Sequence, residues 1–224
     1  NNIVTDGLVF YMDPAYKISY PRSGTTATDI INNIAGTLSG AGGGNNTPQW
    51  ENTNNGVFDF DGTDDYIDFG NPSALQFTSD FSISGWFKTS AGGNHRIFSK
   101  DDNSNRSYLV QVQSNGSVIG AIFVSNSTSK LATSSTGFDD GNWHHFGFTY
   151  EEGVGLKLYM DGGTPATLSY TAAPNLSTAS DVEIGRKGNG TNYFNGNIAS
   201  VKAYNRALSA GEVLQNYQAQ KERF

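Results

Sequence analysis

The feature that most constrains this chain is a recurring alternation of apolar and polar residues, broken at intervals by Asx-Gly pairs. Val57-Phe58-Asp59-Phe60, Tyr66-Ile67-Asp68-Phe69 and Phe81-Ser82-Ile83-Ser84-Gly85-Trp86-Phe87 follow period two, which turns one face of an extended strand inward and the other outward. Segments 108–113, 118–124, 143–150, 156–160, 182–184 and 198–204 continue the pattern. Between the runs lie Asp61-Gly62, Asn115-Gly116, Asp140-Gly141, Asp161-Gly162 and Asn195-Gly196, dipeptides that accept the positive φ of tight hairpin turns. Short strands joined this way exclude a doubly wound parallel sheet and predict an all-β, two-sheet antiparallel jelly-roll sandwich.

A length of 224 residues suits one all-β domain, and no linker or internal repeat divides it, so 1–224 is read as a single domain. Aromatic residues make up 12% of the chain and are its main source of buried area. Cysteine is absent, which removes disulfides, thiol nucleophiles and cysteine-ligated metals. The formal charge of -7 without any basic stripe excludes a nucleic-acid partner. The apolar runs at 7–12 and 118–124 fall well short of the roughly 20 residues that cross a bilayer, so no membrane insertion is expected. No charged-then-apolar leader opens the chain, and any export signal is expected outside it.

One segment reads as a helix. Ser209 and Glu212 form a capping box, Leu208 and Val213 occupy the staple positions, and the helix runs to about Lys221 with its apolar face toward a sheet. Residues 19–56 are the least regular, an ordered loop with one or two short strands that includes the glycine-rich 40–46. Trp86 and Trp143 lie in apolar strands and are read as core, whereas Trp50 receives no element.

Several motifs then fall into register. Phe58-Asp59-Phe60-Asp61-Gly62-Thr63-Asp64-Asp65-Tyr66-Ile67, the Phe81 to Phe87 strand, Ile97-Phe98-Ser99-Lys100, Trp143-His144-His145-Phe146, Leu158-Tyr159-Met160-Asp161-Gly162, Ile184-Gly185-Arg186 and Phe194-Asn195-Gly196-Asn197-Ile198-Ala199 resemble the laminin G-like branch of the concanavalin A-like lectin/glucanase superfamily. Gly7-Leu8-Val9-Phe10-Tyr11-Met12-Asp13 and Tyr204-Asn205-Arg206-Ala207-Leu208-Ser209 resemble a subgroup in bacterial surface proteins and in virion proteins of tailed phages of marine bacteria. The resemblance implies a jelly roll whose first and last strands are adjacent. It says less about activity, because the fold carries lectins, adhesion modules, hydrolases and structural domains.

The sharpest polar cluster is Asp61, Asp64 and Asp65, flanked by Asp59 and Asp68. Carboxylates crowded on one turn repel unless a cation or hydrogen-bond donors compensate, and hard oxygen ligands suit Ca²⁺. The family resemblance also implies structural Ca²⁺ in edge loops. Turn chemistry alone is the competing account, with Asp64 accepting backbone N–H bonds. A second acidic loop, Asp101-Asp102-Asn103, is an alternative cation site. His144 and His145 are strand neighbours on opposite faces and cannot easily grip one ion.

Sugars are held by planar polar groups and aromatic faces. Segments 91–95, 101–108 and 187–194 supply His95, Asp101, Asn103, Arg106, Tyr108, Lys187, Asn192 and Tyr193 as candidate ligand contacts. No Glu-x-Asp-x-x-Glu strand, Gly-x-Ser-x-Gly elbow, phosphate loop or zinc-protease helix occurs. The chain is therefore expected to be a non-catalytic recognition or adhesion module on a cell or virus surface, with a glycan or polysaccharide as ligand. A virion or surface-layer decoration domain that contacts other surface or virion proteins is the alternative, and a glycoside hydrolase the weaker one. Sequons at Asn45, Asn105, Asn126 and Asn175 are expected by chance in a chain this rich in Asn, Ser and Thr.

Overall fold

The computed structural model describes residues 2–40, 47–176 and 179–224; residues 41–46 of the expected glycine-rich loop, with the Asn45 sequon, lie outside them. In chain order the strands are β1 (Leu8–Met12), β2 (Thr26–Thr28), β3 (Ala35–Ser39), β4 (Gln49–Glu51), β5 (Val57–Asp61), β6 (Tyr66–Asp68), β7 (Phe81–Lys88) and β8 (His95–Asp101). They continue as β9 (Arg106–Val112), β10 (Val118–Ser125), β11 (Thr128–Thr133), β12 (Trp143–Glu151), β13 (Gly155–Met160), β14 (Ala166–Ser169), β15 (Glu183–Ile184) and β16 (Asn195–Tyr204), before helix α1 (Ala210–Gln220).

Two antiparallel sheets result. One has the order β14-β13-β12-β7-β16-β5-β4, with β1 on β16, and the other β11-β10-β9-β8-β15-β6-β3-β2. The first and last strands pair, with Tyr11 opposite Lys202. Inward residues of both sheets merge in an aromatic core: Phe77 stacks on Phe81 at 4.7 Å, Phe81 meets Tyr108 at 5.2 Å, and Phe10 meets Phe69 edge-on at 5.0 Å. Each such pair adds about 0.5–1.5 kcal/mol beyond its buried area.

The outward face of the first sheet is not open to water at its centre, because α1 covers it. Period two predicts solvent for Ser82 and Ser84, yet both are buried. The Ser82 hydroxyl donates to the Arg206 carbonyl and accepts from Leu208 N–H, and Ser84 Oγ lies 2.9 Å from His145 Nε2. Trp86 also lies on this face, stacked between sheet and helix against Tyr217 at 5.6 Å and Phe224 at 4.6 Å. It is buried, as expected, but outside the space between the sheets. Trp143 is half-buried, 4.7 Å from Phe224.

Ser209 and Glu212 close a full capping box, and Leu208 and Val213 pack with Val4, Tyr159 and Tyr204. The far end of the helix is fastened by charge: Arg223 forks onto the buried Asp13 at 2.6 and 2.9 Å. Lys202 is fully buried beneath it, donating to Gln220 Oε1 and Ser200 Oγ at 2.7 Å, and burial pushes its ammonium down to about 7.

The Asx-Gly pairs meet the hairpin expectation only in part: Asn115-Gly116 turns between the paired β9 and β10 and Asp161-Gly162 begins the loop between the paired β13 and β14, whereas Asp61-Gly62 and Asp140-Gly141 lie on connections from one sheet to the other. Asp161 and Gly162 both have positive φ, 51° and 69°, as a tight two-residue turn demands. Asn195-Gly196 instead opens β16, with Asn195 opposite Asp61. Gly196 is needed there because a Cβ would sit 2.2 Å from the Lys88 carbonyl oxygen at φ 129°.

The two sheets meet differently along their long edges. β11 and β14 touch, with the Lys130 ammonium over the Tyr170 ring. The opposite edge, formed by β2 and β4, opens into a groove. Among the described residues no helix is long and apolar enough to cross a membrane.

Candidate functional site

The turn from β5 to β6 gathers one oxygen each from Asp61, Asp64 and Asp65 within 4.8 Å. Part of the chemistry is local: Asp61 Oδ1 accepts from Thr63 N–H at 2.8 Å and Asp64 N–H at 3.2 Å, while Asp65 Oδ2 accepts from Asp61 N–H at 3.1 Å. The accepting residue of the turn is thus Asp61 rather than Asp64. Two oxygens remain unanswered, since Asp64 Oδ1 and Asp65 Oδ1 are buried without a hydrogen-bond partner. Asp65 is only 4% exposed. Burial pushes its carboxyl up to about 6; the Asp61 N–H bond opposes the rise, and the charges of Asp61, Asp64 and Asp59 add to it. Ligand oxygens on a sphere of about 2.4 Å radius are at most about 4.8 Å apart, so the span fits the hard-oxygen shell of Ca²⁺.

This turn belongs to one end of the sandwich. Asn195 Nδ2 donates to the Asp61 carbonyl at 3.1 Å, and Thr89 Oγ1 donates to the Asn195 carbonyl at 2.7 Å. Loop 89–95 is joined to loop 186–194 by Asn192 Nδ2 donating to the Asn94 carbonyl at 3.3 Å.

Of the expected ligand contacts, the structure brings His95, Asn192 and Tyr193 together here. Asn192 and Tyr193 are half-buried and keep a solvent face. His95 does not: it is 9% exposed, with Nδ1 2.7 Å from the Tyr193 carbonyl and Nε2 3.2 Å from that of Gly92. Its ring is a strut between two loops.

The remaining candidates lie elsewhere and need correction. Tyr108 is fully buried in the core, and its hydroxyl donates to the Leu75 carbonyl at 2.9 Å. Asp101 is buried on the outer face of the second sheet, where Arg96 holds it at 2.8 Å and Arg106 at 2.8 and 3.1 Å. Lys187, also 9% exposed, donates to Asn103 Oδ1, and Arg106 spreads over the Phe123 ring at 3.9 Å. Only Asn103 is exposed, at the hairpin tip with φ 75°. The same contacts remove the Asp101-Asp102-Asn103 loop as a cation site: Asp101 is neutralised by arginines, and Asp102 caps the N–H groups of Ser104 and Asn105.

The adjacent histidines face opposite sides of β12. His144 lies between Asp161 at 2.9 Å and Asp140 at 3.1 Å; burial opposes its charge, but the two carboxylates outweigh it and raise its pKa. His145 is fully buried under α1, where burial, with Lys202, pushes it down to about 3.

Comparison with known proteins accords with this architecture. Residues 61–214 match a laminin G family model described as the concanavalin A-like lectin/glucanases superfamily, and the chain belongs to that family. A curated relative, adhesion G-protein coupled receptor V1 of Danio rerio, is 25% identical over 146 residues, which are 62% of this chain and 2% of the receptor. Among solved structures, the binding domain of botulinum neurotoxin DC in complex with SialylT superposes with a TM-score of 0.75 at 12% identity, over 96% of this chain and 52% of that one. The serotype G binding domain gives 0.71 at 16% identity, over 95% and 51%. The chain thus spans about half of these neurotoxin domains and a small fraction of the receptor, and at this identity the likeness shows the fold.

Proposed function

We propose that this chain is a non-catalytic recognition module that works as one domain outside a cell or on a particle surface. It binds glycan at the loop end that carries Asp61, Asp64 and Asp65, with Ca²⁺ as a structural ion. The observation that carries the reading is the unpartnered, buried Asp65 oxygen in a turn tied through Asn195 to the Asn192 and Tyr193 loop. A bound Ca²⁺ would neutralise the three carboxylates and hold the turn in one shape. The chain's own residues do the rest: Asp61 fixes the turn, Asn195 joins it to the neighbouring loop, and Asn192 and Tyr193 offer an amide and a ring face.

Other lines support the class. The binding domain of botulinum neurotoxin DC is described in complex with SialylT and with rat synaptotagmin II, and cell entry of botulinum neurotoxin type C as dependent upon interaction with two ganglioside molecules. The buried Glu183 is held by Arg186 at 2.6 Å, a contact that supports a structural role for this carboxylate. The motifs at both chain ends support a place among bacterial surface or phage virion proteins. A second reading, docking through protein contacts, draws on Tyr16 and Ile18, which are 51% and 70% exposed.

Thermal melts in EDTA and in millimolar Ca²⁺, followed by a glycan array under both conditions, test the proposal. The expected result is a higher melting temperature in Ca²⁺, absent in Asp65→Asn, with array hits lost in EDTA. An unchanged melting temperature together with a blank array overturns it and leaves the protein-contact reading.

A further inference from the structure

The groove at the β2 and β4 edge, lined by segments 20–25 and 47–50, has a property the acidic 61–65 turn lacks, a cation without a counter-charge. Arg96 and Arg106 hold Asp101, Arg186 holds Glu183, Arg206 holds Asp6 and Glu212, and Arg223 holds Asp13. Arg22 forms none of the ion pairs among the described residues. Its guanidinium instead lies over the indole of Trp50, 4.7 Å from the ring centroid. The groove has a volume of 300 Å³ and is walled by Tyr20, Arg22, Thr25, Thr47, Gln49 and Trp50.

The site is held in place before any ligand arrives. Trp50 sits opposite Phe58 in the β4–β5 pair, and its Nε1 donates to the Pro14 carbonyl at 3.0 Å. Tyr20 packs edge-on against Phe58 at 4.8 Å, and its hydroxyl donates to the Gly24 carbonyl at 2.8 Å, closing the turn that presents Arg22. Arg22 itself has φ 72°, a left-handed conformation that a long side chain seldom adopts and that costs backbone energy.

We infer that this groove binds a carboxylate-bearing saccharide, with the Arg22 guanidinium as its anion contact. A guanidinium over an aromatic face retains N–H donors for an anion, and its fork matches two coplanar carboxylate oxygens. The hydroxyl groups of Thr25 and Thr47 suit sugar hydroxyls. The volume stands at the small end of ligand pockets, roughly 300–1,000 Å³, and suits one sugar unit. With a net charge of -7 the chain exerts no general attraction on polyanions, so selection for acid rests on this single contact.

The inference rests on the reading of the chain as a glycan-binding module but assigns a different, calcium-independent site. Calorimetric titrations in EDTA with sialyllactose and trigalacturonate, against lactose and carboxyl-reduced trigalacturonate, test it. At least one acidic sugar is expected to bind ten-fold or more tightly than its neutral counterpart. Arg22→Gln removes that difference, Arg22→Lys restores it only in part, and the melting temperature of both variants stays at the parent value. Trp50→Phe, which keeps an aromatic shelf, retains acid preference with lower affinity. Equal binding of acidic and neutral sugars, acid preference that survives Arg22→Gln, or tetraglutamate binding as tightly as the sugars overturns it. No binding of any sugar in EDTA also overturns it, and leaves the calcium-dependent array and Asp65→Asn as the separate test of the loop-end reading.

Discussion

Two acidic turns, 61–65 and 101–106, solve their electrostatics in opposite ways. At 101–106 the Asp101 carboxylate is enclosed by Arg96 and Arg106, and Asp102 is satisfied by backbone N–H groups. At 61–65 none of the ion pairs among the described residues brings an arginine, and buried oxygens of Asp64 and Asp65 lack partners there. The number of carboxylates therefore says little about whether a turn awaits a cation. What matters is which strands deliver cationic side chains across the sheet, and β8 and β9 deliver two to one turn whereas β5 and β6 deliver none to the other.

The contrast is most exposed to test at Asp101. Asp101→Ala leaves Arg96 and Arg106 facing each other on a covered surface, and urea denaturation at neutral pH should show a loss of about 3–5 kcal/mol. A loss below about 1 kcal/mol, the worth of an exposed ion pair, would mean that water reaches the pair. The turn at 61–65 should respond with the opposite sign. The folded Asp65 carboxyl titrates near 6, against 3.8 ordinarily, so between those values the folded chain binds more protons than the unfolded one. Its contribution is complete below 3.8 and is lost as pH rises through about 6. In EDTA, Asp65→Asn should therefore gain on the parent as pH rises across that window and hold its advantage above it. A parallel pair of stability curves would refute the assignment. The smallest effect is expected at Asp102, where Asp102→Ala removes a cap from an exposed hairpin and should cost about 0.5 kcal/mol, read as a slight shift in urea midpoint.

Much of the fold was legible because its signal is periodic and local. The strands β5, β6, β7, β9 and β10, with β12, β13, β15 and β16, carry alternating apolar residues, and α1 carries its own cap. The strands that escaped are of another kind. β11, Thr-Ser-Lys-Leu-Ala-Thr, and β14, Ala-Thr-Leu-Ser, are edge strands with few buried residues, so their pairing depends on neighbours already in place. Within 19–56, where one or two short strands are expected, three form, β2, β3 and β4, and Trp50 finds its element only with β5 beside it.

The sites were less legible. The Asp61, Asp64 and Asp65 cluster could be seen because its members are adjacent in sequence. Tyr108 and Asp101 were misread because loop-flanking polarity does not reveal that one is a core stack partner and the other the anion of two arginines. Arg22 carries no local signal at all. Its distinction is that it enters none of the ion pairs among the described residues, which a three-dimensional account of the other arginines brings out.

The three tryptophans occupy surroundings so different that each can serve as a separate optical reporter. Trp50 lies under a guanidinium in the groove, Trp86 is sealed between sheet and helix, and Trp143 borders the C-terminal Phe224 ring. In single-tryptophan variants, with the other two changed to phenylalanine, emission from Trp50 registers events at the groove alone. Emission from Trp86 registers whether the closing helix is seated. Ligand capture and release of the helix can thus be followed as independent colours of one molecule.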